Sequence, residues 1–360
     1  MRPYVRRKVS SPGAPGKMNI SPLPSIPYSE LLLADLQPHQ PPLPSAVAAT
    51  RLAYSRGCSC GLLIVSDLPP YLEALRAHLL GGAPSLPPLA ALLSDGLGSD
   101  TSGPHSPASA TLQLRWGAEG PQPAGAPPPP PDCSLRAGME ALGAAYAAIC
   151  GSVAAACDVW AGGCDLRGAL RASGAAKARL ILYGAEGGGA ASAAPWQQYH
   201  KDYGLFTAVS APTYWEGATP AAPPLGAGLH VLRAGSGARA AAPIGAGCVG
   251  VQAGEAAQLL SGGRVVAAPH VVLRPAGGGG AWRRATFVVF CTPPAELALA
   301  AAGGGGVEEE EPAWAEVLGG LLPPMHERWD AQSPPTFSEF GRRTVAAYFG
   351  KKGTQRRQAK

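Results

Sequence analysis

Residues 200–212 read HKDYGLFTAVSAP: a His-Lys-Asp triplet runs into an apolar segment that Gly204 opens and Pro212 closes. Phe, Thr and Val between such breakers predict a short strand. Five more segments beyond Gly174 share this character: 178–184 (ARLILYG), 228–234 (GLHVLRA), 247–254 (GCVGVQAG), 265–275 (VVAAPHVVLRP) and 285–291 (ATFVVFC). Short strands at moderate spacing, without helical patterns between them, argue for a sandwich or barrel rather than βαβ units.

Upstream, the pattern predicts a strand over Ile26–Leu36, a helix over Ser45–Arg56 and a buried strand over Gly61–Asp67. It also predicts a helix over Pro69–Leu80 with Leu72, Leu75 and Leu79 on one face. From Gly81 to Asp132 periodicity is lost around GSDTSGPHSP and the run Pro127–Pro131, so the stretch reads as a low-complexity linker or insertion, with a short helix at Leu86–Leu93. Leu135–Ala172 is Ala-rich with helical spacing. Tyr146, Ile149, Val153, Trp160 and Leu166 are its core candidates, and Gly151, Gly162 and Gly163 are expected to break it. A closing helix is predicted over Phe337–Phe349. The domain reading is therefore a flexible N-terminus (1–25), an N-terminal segment of the fold (26–80), the linker (81–132), helices plus a β core (133–350) and a basic tail (351–360).

Composition sets outer limits. The 360 residues allow a large core, and 48 Gly with 39 Pro fit a folded protein carrying Gly/Pro-rich insertions. Net charge is +5, with the basic residues clustered only at the two ends, a pattern of solvated tails rather than of a nucleic-acid-binding stripe. No apolar run approaches the roughly 20 residues that span a bilayer. The eight cysteines show no paired C-x-x-C spacing and read as free thiols of a reducing compartment. These features predict a cytoplasmic protein. The acid-free, Arg- and Ser-containing start leaves an organelle transit segment as the alternative, although Pro3, Pro12 and Pro15 interrupt any helix there.

His200 and Asp202 stand at i and i+2, so in an extended strand both point to one face. His270 lies in a later strand segment. Two imidazoles and one carboxylate on one face of an octahedron leave the opposite face open, which is the donor set of non-haem Fe(II) oxygenases. Spacing alone equally accommodates a surface His/Asp pair and an unrelated core histidine. In the strand that follows, Arg284 and Thr286 share a face opposite Arg283. A guanidinium and a hydroxyl side by side in an apolar strand match a carboxylate, although an outward Arg in a surface ion pair has the same spacing.

These blocks, taken in order, resemble the 2-oxoglutarate/Fe(II)-dependent dioxygenases of the isopenicillin-N-synthase-like superfamily. IPYSELLLADL resembles the opening strand of that family, and GCSCGLLIVSDLP its "GFF-V-NHG" segment. ARLILYG resembles "LRLNYYP", and HKDYGLFTAVSAP the H-x-D-x-G-x-x-T block. PIGAGCVGVQAGEAAQLLSGGRVVAAPHVV resembles the run that ends in Pro-His-x-Val, and RRATFVVFCTPP the R-x-S strand with Thr286 in the serine position. The chain departs from the family where Gly184–Gly187 replaces "YPPCP", where Val271 follows His270, and where Gly277–Gly280 lengthens a hairpin. The resemblance implies a mainly β fold with flanking helices, the double-stranded β-helix or jelly roll. It further implies Fe(II) on His200, Asp202 and His270, and 2-oxoglutarate on Arg284, Thr286 and Tyr183. With O2, a small organic substrate would be hydroxylated, desaturated or cyclised, with release of succinate and CO2. Two alternatives stand beside this reading: a related Fe(II) oxidase that does not use 2-oxoglutarate, and an inactive jelly-roll binding protein. No nucleic-acid or membrane partner is expected.

Overall fold

The ten residues from Trp282 to Cys291 divide two kinds of packing. Ala285, Phe287, Val289 and Cys291 belong to a large apolar core, while Arg284, Thr286, Val288 and Phe290 line a cavity. This is the two-residue period of a strand with both faces covered. The structure is a computed structural model. It describes residues 23–32, 41–57, 60–82, 97–99, 108–117, 120–121, 134–184, 194–275, 282–303 and 312–358.

In chain order the strands are β1 Ser25–Pro27, β2 Leu62–Ser66, β3 Gly98–Ser99, β4 Ala108–Arg115, β5 Ala175–Tyr183, β6 Gln197–His200 and β7 Phe206–Ser210. They continue as β8 Thr213–Glu216, β9 Thr219–Ala221, β10 Gly228–Leu232, β11 Arg239–Ala241, β12 Val249–Ala253, β13 His270–Leu273 and β14 Trp282–Cys291. The helices are α1 Tyr28–Leu32, α2 Pro44–Tyr54, α3 Pro70–Gly81, α4 Leu135–Ala161, α5 Leu166–Ser173, α6 Glu255–Leu260, α7 Pro312–Leu318 and α8 Phe337–Gln358. The larger sheet runs β1-β2-β12-β7-β14-β5-β4-β3, with β8 on β14 and β9 on β8. Only β1·β2 is parallel among its pairings. The smaller sheet runs β11-β10-β13-β6 and is antiparallel. The two sheets face each other across the cavity, which makes the fold a double-stranded β-helix with helices on its outer side.

Helix α4 is the main cover of the larger sheet, packing on β14, β7, β4 and β5. Ser134 caps it by accepting a hydrogen bond from the Ala137 N–H at 3.2 Å, and Gly162 ends it at φ 54°, where side-chain-bearing residues are strained. It is long and apolar enough to cross a membrane, contrary to the expectation that no such run exists. However, 83% of its most apolar window lies buried, as in the core helix of a folded domain. The predicted break at Gly151 does not occur. Gly151 is buried inside the helix, and packing outweighs the roughly 1 kcal/mol that a helical glycine costs.

Two other expectations change. Ile26–Leu36 is not one strand: after β1 the chain turns helical at Tyr28–Leu32, where Leu31 and Leu32 are buried. Within the stretch read as a linker, β4 pairs along the full length of β5, burying Ala110, Leu112 and Leu114 against α4. The helix expected at Leu86–Leu93, the glycine-rich hairpin at 277–280, Cys58, Cys133 and the N-terminal segment lie outside the described residues. The six described cysteines are free, as expected.

Phe287 is fully buried and meets Tyr146 of α4 with ring centroids 6.0 Å apart. Phe287→Ala is expected to cost about 3–5 kcal/mol of unfolding free energy, read as a lowered urea midpoint at unchanged m-value.

Candidate functional site

His200 is the last residue of β6 and His270 the first of β13, and the antiparallel pairing sets them directly opposite each other. Their rings lie 4.1 Å apart between centroids at 58°. Asp202 lies beyond the end of β6, so its carboxylate is not carried inward by the strand pleat, as the sequence suggested. A tight turn supplies it instead. The Asp202 carbonyl accepts from the Glu255 N–H at 2.8 Å, the Gly204 carbonyl from Ala256 N–H at 3.0 Å, and the Leu205 carbonyl from Gly254 N–H at 2.8 Å. Gly254 is required at this crossing, because a Cβ there would stand 2.2 Å from the Gly204 carbonyl oxygen.

The turn brings Asp202 Oδ1 to 3.8 Å from His200 Nε2, and Oδ2 to 4.0 Å from His270 Nε2. One ligand atom from each of the three residues falls within 4.8 Å of the others. His200 Nδ1 stands 2.8 Å from the Gln198 carbonyl and His270 Nδ1 3.4 Å from the Ala268 carbonyl. A carbonyl only accepts, so each Nδ1 carries the proton and each Nε2 keeps a lone pair for a metal. Burial, and then the neighbouring His200, push the His270 imidazole down to about 4, so at neutral pH its Nε2 has no proton to displace. Two imidazoles and a carboxylate suit Fe(II), and the residues present fit that ion.

At the other end of the cavity, Arg284 is 2% exposed, yet its Nε and Nη1 have no hydrogen-bond partner among the described residues. Its Cζ lies 5.4 Å from the ring centroid of Tyr183 and 6.0 Å from that of Tyr214. Aromatic faces do not satisfy N–H donors in this plane, and a buried guanidinium left open is costly unless an anion meets it. Thr286 Oγ1 makes only long contacts, 3.3 Å to the Ser210 carbonyl and 3.4 Å to Ser210 Oγ. Tyr183 faces Arg284 across β5·β14 and stacks on Trp196 at 5.9 Å; burial raises its phenol, against the pull of Arg284. The cavity, ≈ 310 Å³, therefore joins all six sequence-predicted residues: His200, Asp202, His270, Tyr183, Arg284 and Thr286. Tyr214 faces Arg284, while its neighbour Trp215 packs into the main core.

No family model matches the chain, and no curated protein matches it. Solved structures do. The rice dioxygenase for auxin oxidation aligns with TM-score 0.53 and 18% identity, over 90% of this chain and 95% of that one. An oxygenase structure from Shewanella oneidensis aligns with TM-score 0.52 and 17% identity, over 77% and 92% of the two chains. A protein described as of the 2OG-Fe(II) oxygenase family, from Caulobacter crescentus, aligns with TM-score 0.51 and 14% identity, over 91% and 99%. At such identities the likeness is one of fold, and that fold is the jelly roll found here.

Sequence reasoning missed how the C-terminal segment holds the His-Lys-Asp triplet. Glu255, whose N–H fixes the Asp202 carbonyl, is 1% exposed and forms a paired contact with Arg328, at 2.7 Å on each oxygen. Arg328 also donates to Thr344 Oγ1 of α8 at 2.9 Å and to the Pro323 carbonyl at 3.1 Å. The Lys201 N–H donates to Tyr348 Oη at 3.3 Å, Lys201 Nζ sits 5.0 Å over Trp314, and Tyr203 stacks on Phe337 at 5.8 Å. Arg328→Met leaves Glu255 buried and unpaired, at an expected cost of about 3–5 kcal/mol in denaturant unfolding. Because the Asp202 turn hangs on Glu255, the variant should also bind Co(II) roughly 10-fold more weakly or worse, read by titration of the folded protein well below its melting temperature.

Proposed function

We propose that the chain is an Fe(II)- and 2-oxoglutarate-dependent dioxygenase that oxidises a small organic molecule. One observation carries the reading: a ready-made three-ligand metal face and an unpartnered buried guanidinium line the same cavity. A group that bridges these two features must bind a metal at one end and present a carboxylate at the other. 2-Oxoglutarate does both. The rice enzyme of the same fold is a dioxygenase for auxin oxidation, a reaction on a small organic molecule.

His200, Asp202 and His270 would hold the iron. Bound iron would supply the redox chemistry, in which conversion of 2-oxoglutarate and O2 to succinate and CO2 is coupled to oxidation of the substrate. The protein's own part is positional and electrostatic. Arg284 holds the distal carboxylate in a fork whose donors are already desolvated, so little reorganisation remains on binding. Thr286 can turn its hydroxyl from the long Ser210 contacts to that carboxylate. Tyr183, packed on Trp196, forms an apolar wall beside it and keeps water from the guanidinium. Asp202 adds the one carboxylate among the described cavity-lining residues, offsetting part of the metal charge.

His270→Ala should abolish both stoichiometric Fe(II) binding and 2-oxoglutarate turnover, and full activity in that variant would refute the assignment. Arg284→Ala should leave Fe(II) binding intact and raise the 2-oxoglutarate concentration needed for half-maximal binding roughly 10- to 100-fold, the loss of a charge-assisted contact. Formation of succinate in step with 2-oxoglutarate consumption separates this activity from that of an Fe(II) oxidase without the cosubstrate.

A further inference from the structure

The cavity contains polar groups that the metal and cosubstrate roles do not use. Thr207 of β7 and Gln252 of β12 lie directly opposite each other in the antiparallel ladder, and both line the cavity. They are 2% and 3% exposed, and neither side chain makes a hydrogen bond among the described residues. Their polar atoms are therefore open to the cavity, where a donor and an acceptor of the carboxamide remain for a ligand. Next in the same row stands Phe290, paired with Thr207 across β7·β14, its ring also on the cavity wall. Arg284 lies six residues before Phe290 on β14, at the far end of the strand, so this patch is separate from the carboxylate fork.

We propose that Thr207, Gln252 and Phe290 form the subsite for the primary substrate and that the substrate presents a planar, uncharged amide edge there, a carboxamide or lactam. The inference rests on the oxygenase reading for its place in a reaction. The side-chain amide of glutamine sets an acceptor beside a donor in one plane, and the matching edge is a donor beside an acceptor. The Thr207 hydroxyl serves as either. Phe290 supplies a flat apolar face against which a planar group packs. Thr207, Gln252 and Phe290 are themselves neutral, and Arg179, whose Cζ lies 5.9 Å from the Phe290 ring centroid, is the cation beside them against which an anionic substrate is to be tested.

The test uses the full chain loaded anaerobically with Fe(II) and 2-oxoglutarate, and three planar probes of similar size: benzamide, benzoate and acetophenone. Calorimetric titration should show benzamide binding roughly 10-fold or more tightly than acetophenone, which lacks the donor. Gln252→Leu should erase that preference while 2-oxoglutarate affinity stays within about twofold of the parent. Thr207→Val should reduce the preference in part, and it decides the matter alone if the leucine variant does not fold. Benzoate binding more tightly than benzamide would overturn the proposal in favour of a carboxylate substrate drawn by Arg179, which lines the same cavity. Equal binding of benzamide and acetophenone, or a collapse of 2-oxoglutarate affinity in Gln252→Leu, would also overturn it. The titrations are repeated on metal-free protein. A benzamide preference there, in a chain that takes up neither Fe(II) nor 2-oxoglutarate, would keep the subsite and sink the oxygenase reading.

Discussion

The pairing of β6 with β13 is the constraint on which the site depends. It places His200 opposite His270, and these two imidazoles can share a metal only in that register. A slip of one residue in either strand would turn one ring to the other face of the smaller sheet. The register is held by β13 itself, whose other edge pairs with β10 from Gly228 to Val231, and by Val272, which packs into the apolar cluster between the sheets. The metal face is thus a consequence of sheet closure, and the site needs no dedicated loop for its two nitrogens.

The carboxylate follows a different logic. Asp202 stands in a turn whose carbonyls are spent on the N-terminal N–H groups of α6, and that helix is anchored by the Glu255–Arg328 pair. A buried ion pair is seldom a strong source of stability compared with apolar packing. Its worth here is geometric, because the two-point contact fixes the start of α6 against α8 through Thr344 and so fixes the turn. Strand pairing and C-terminal packing converge on one point from opposite ends of the chain.

That division explains how much was legible in the sequence. His200, His270, Arg284 and Thr286 sit in strands, where a period of two tells which side chains share a face, and the resemblance supplied the pairing that spacing leaves open. Tyr183 was legible through the resemblance alone, and the structure sets it opposite Arg284. The Glu255–Arg328 pair was not, because 73 residues separate its members and Arg328 stands in no periodic element. Gln252 did carry a signal, a polar side chain in the otherwise apolar and small GCVGVQAG, and Thr207 was visible in the H-x-D-x-G-x-x-T block. What sequence could not show was that both lack partners. The unbroken α4 and the strand β4 were hidden by local composition: glycine within the helix and a Pro/Gly-rich neighbourhood around the strand, each overridden by burial against the larger sheet.

Charge explains why the cavity keeps its parts separate. On the proposed function, a metal dication, the Asp202 carboxylate, the Arg284 guanidinium and a dianionic keto acid would together sum to neutrality, and the loaded centre would ask for no further counter-ion. Arg179, half-buried and 5.9 Å from the Phe290 ring centroid, adds a further cation to the described cavity wall. An uncharged substrate entering beside such a centre gains little from charge and must be oriented by hydrogen bonds. Specificity then falls to buried groups whose unmet donors and acceptors penalise the wrong molecule more than they reward the right one. Thr207 and Gln252 are such groups, and their neutrality is what an electrically balanced centre leaves room for.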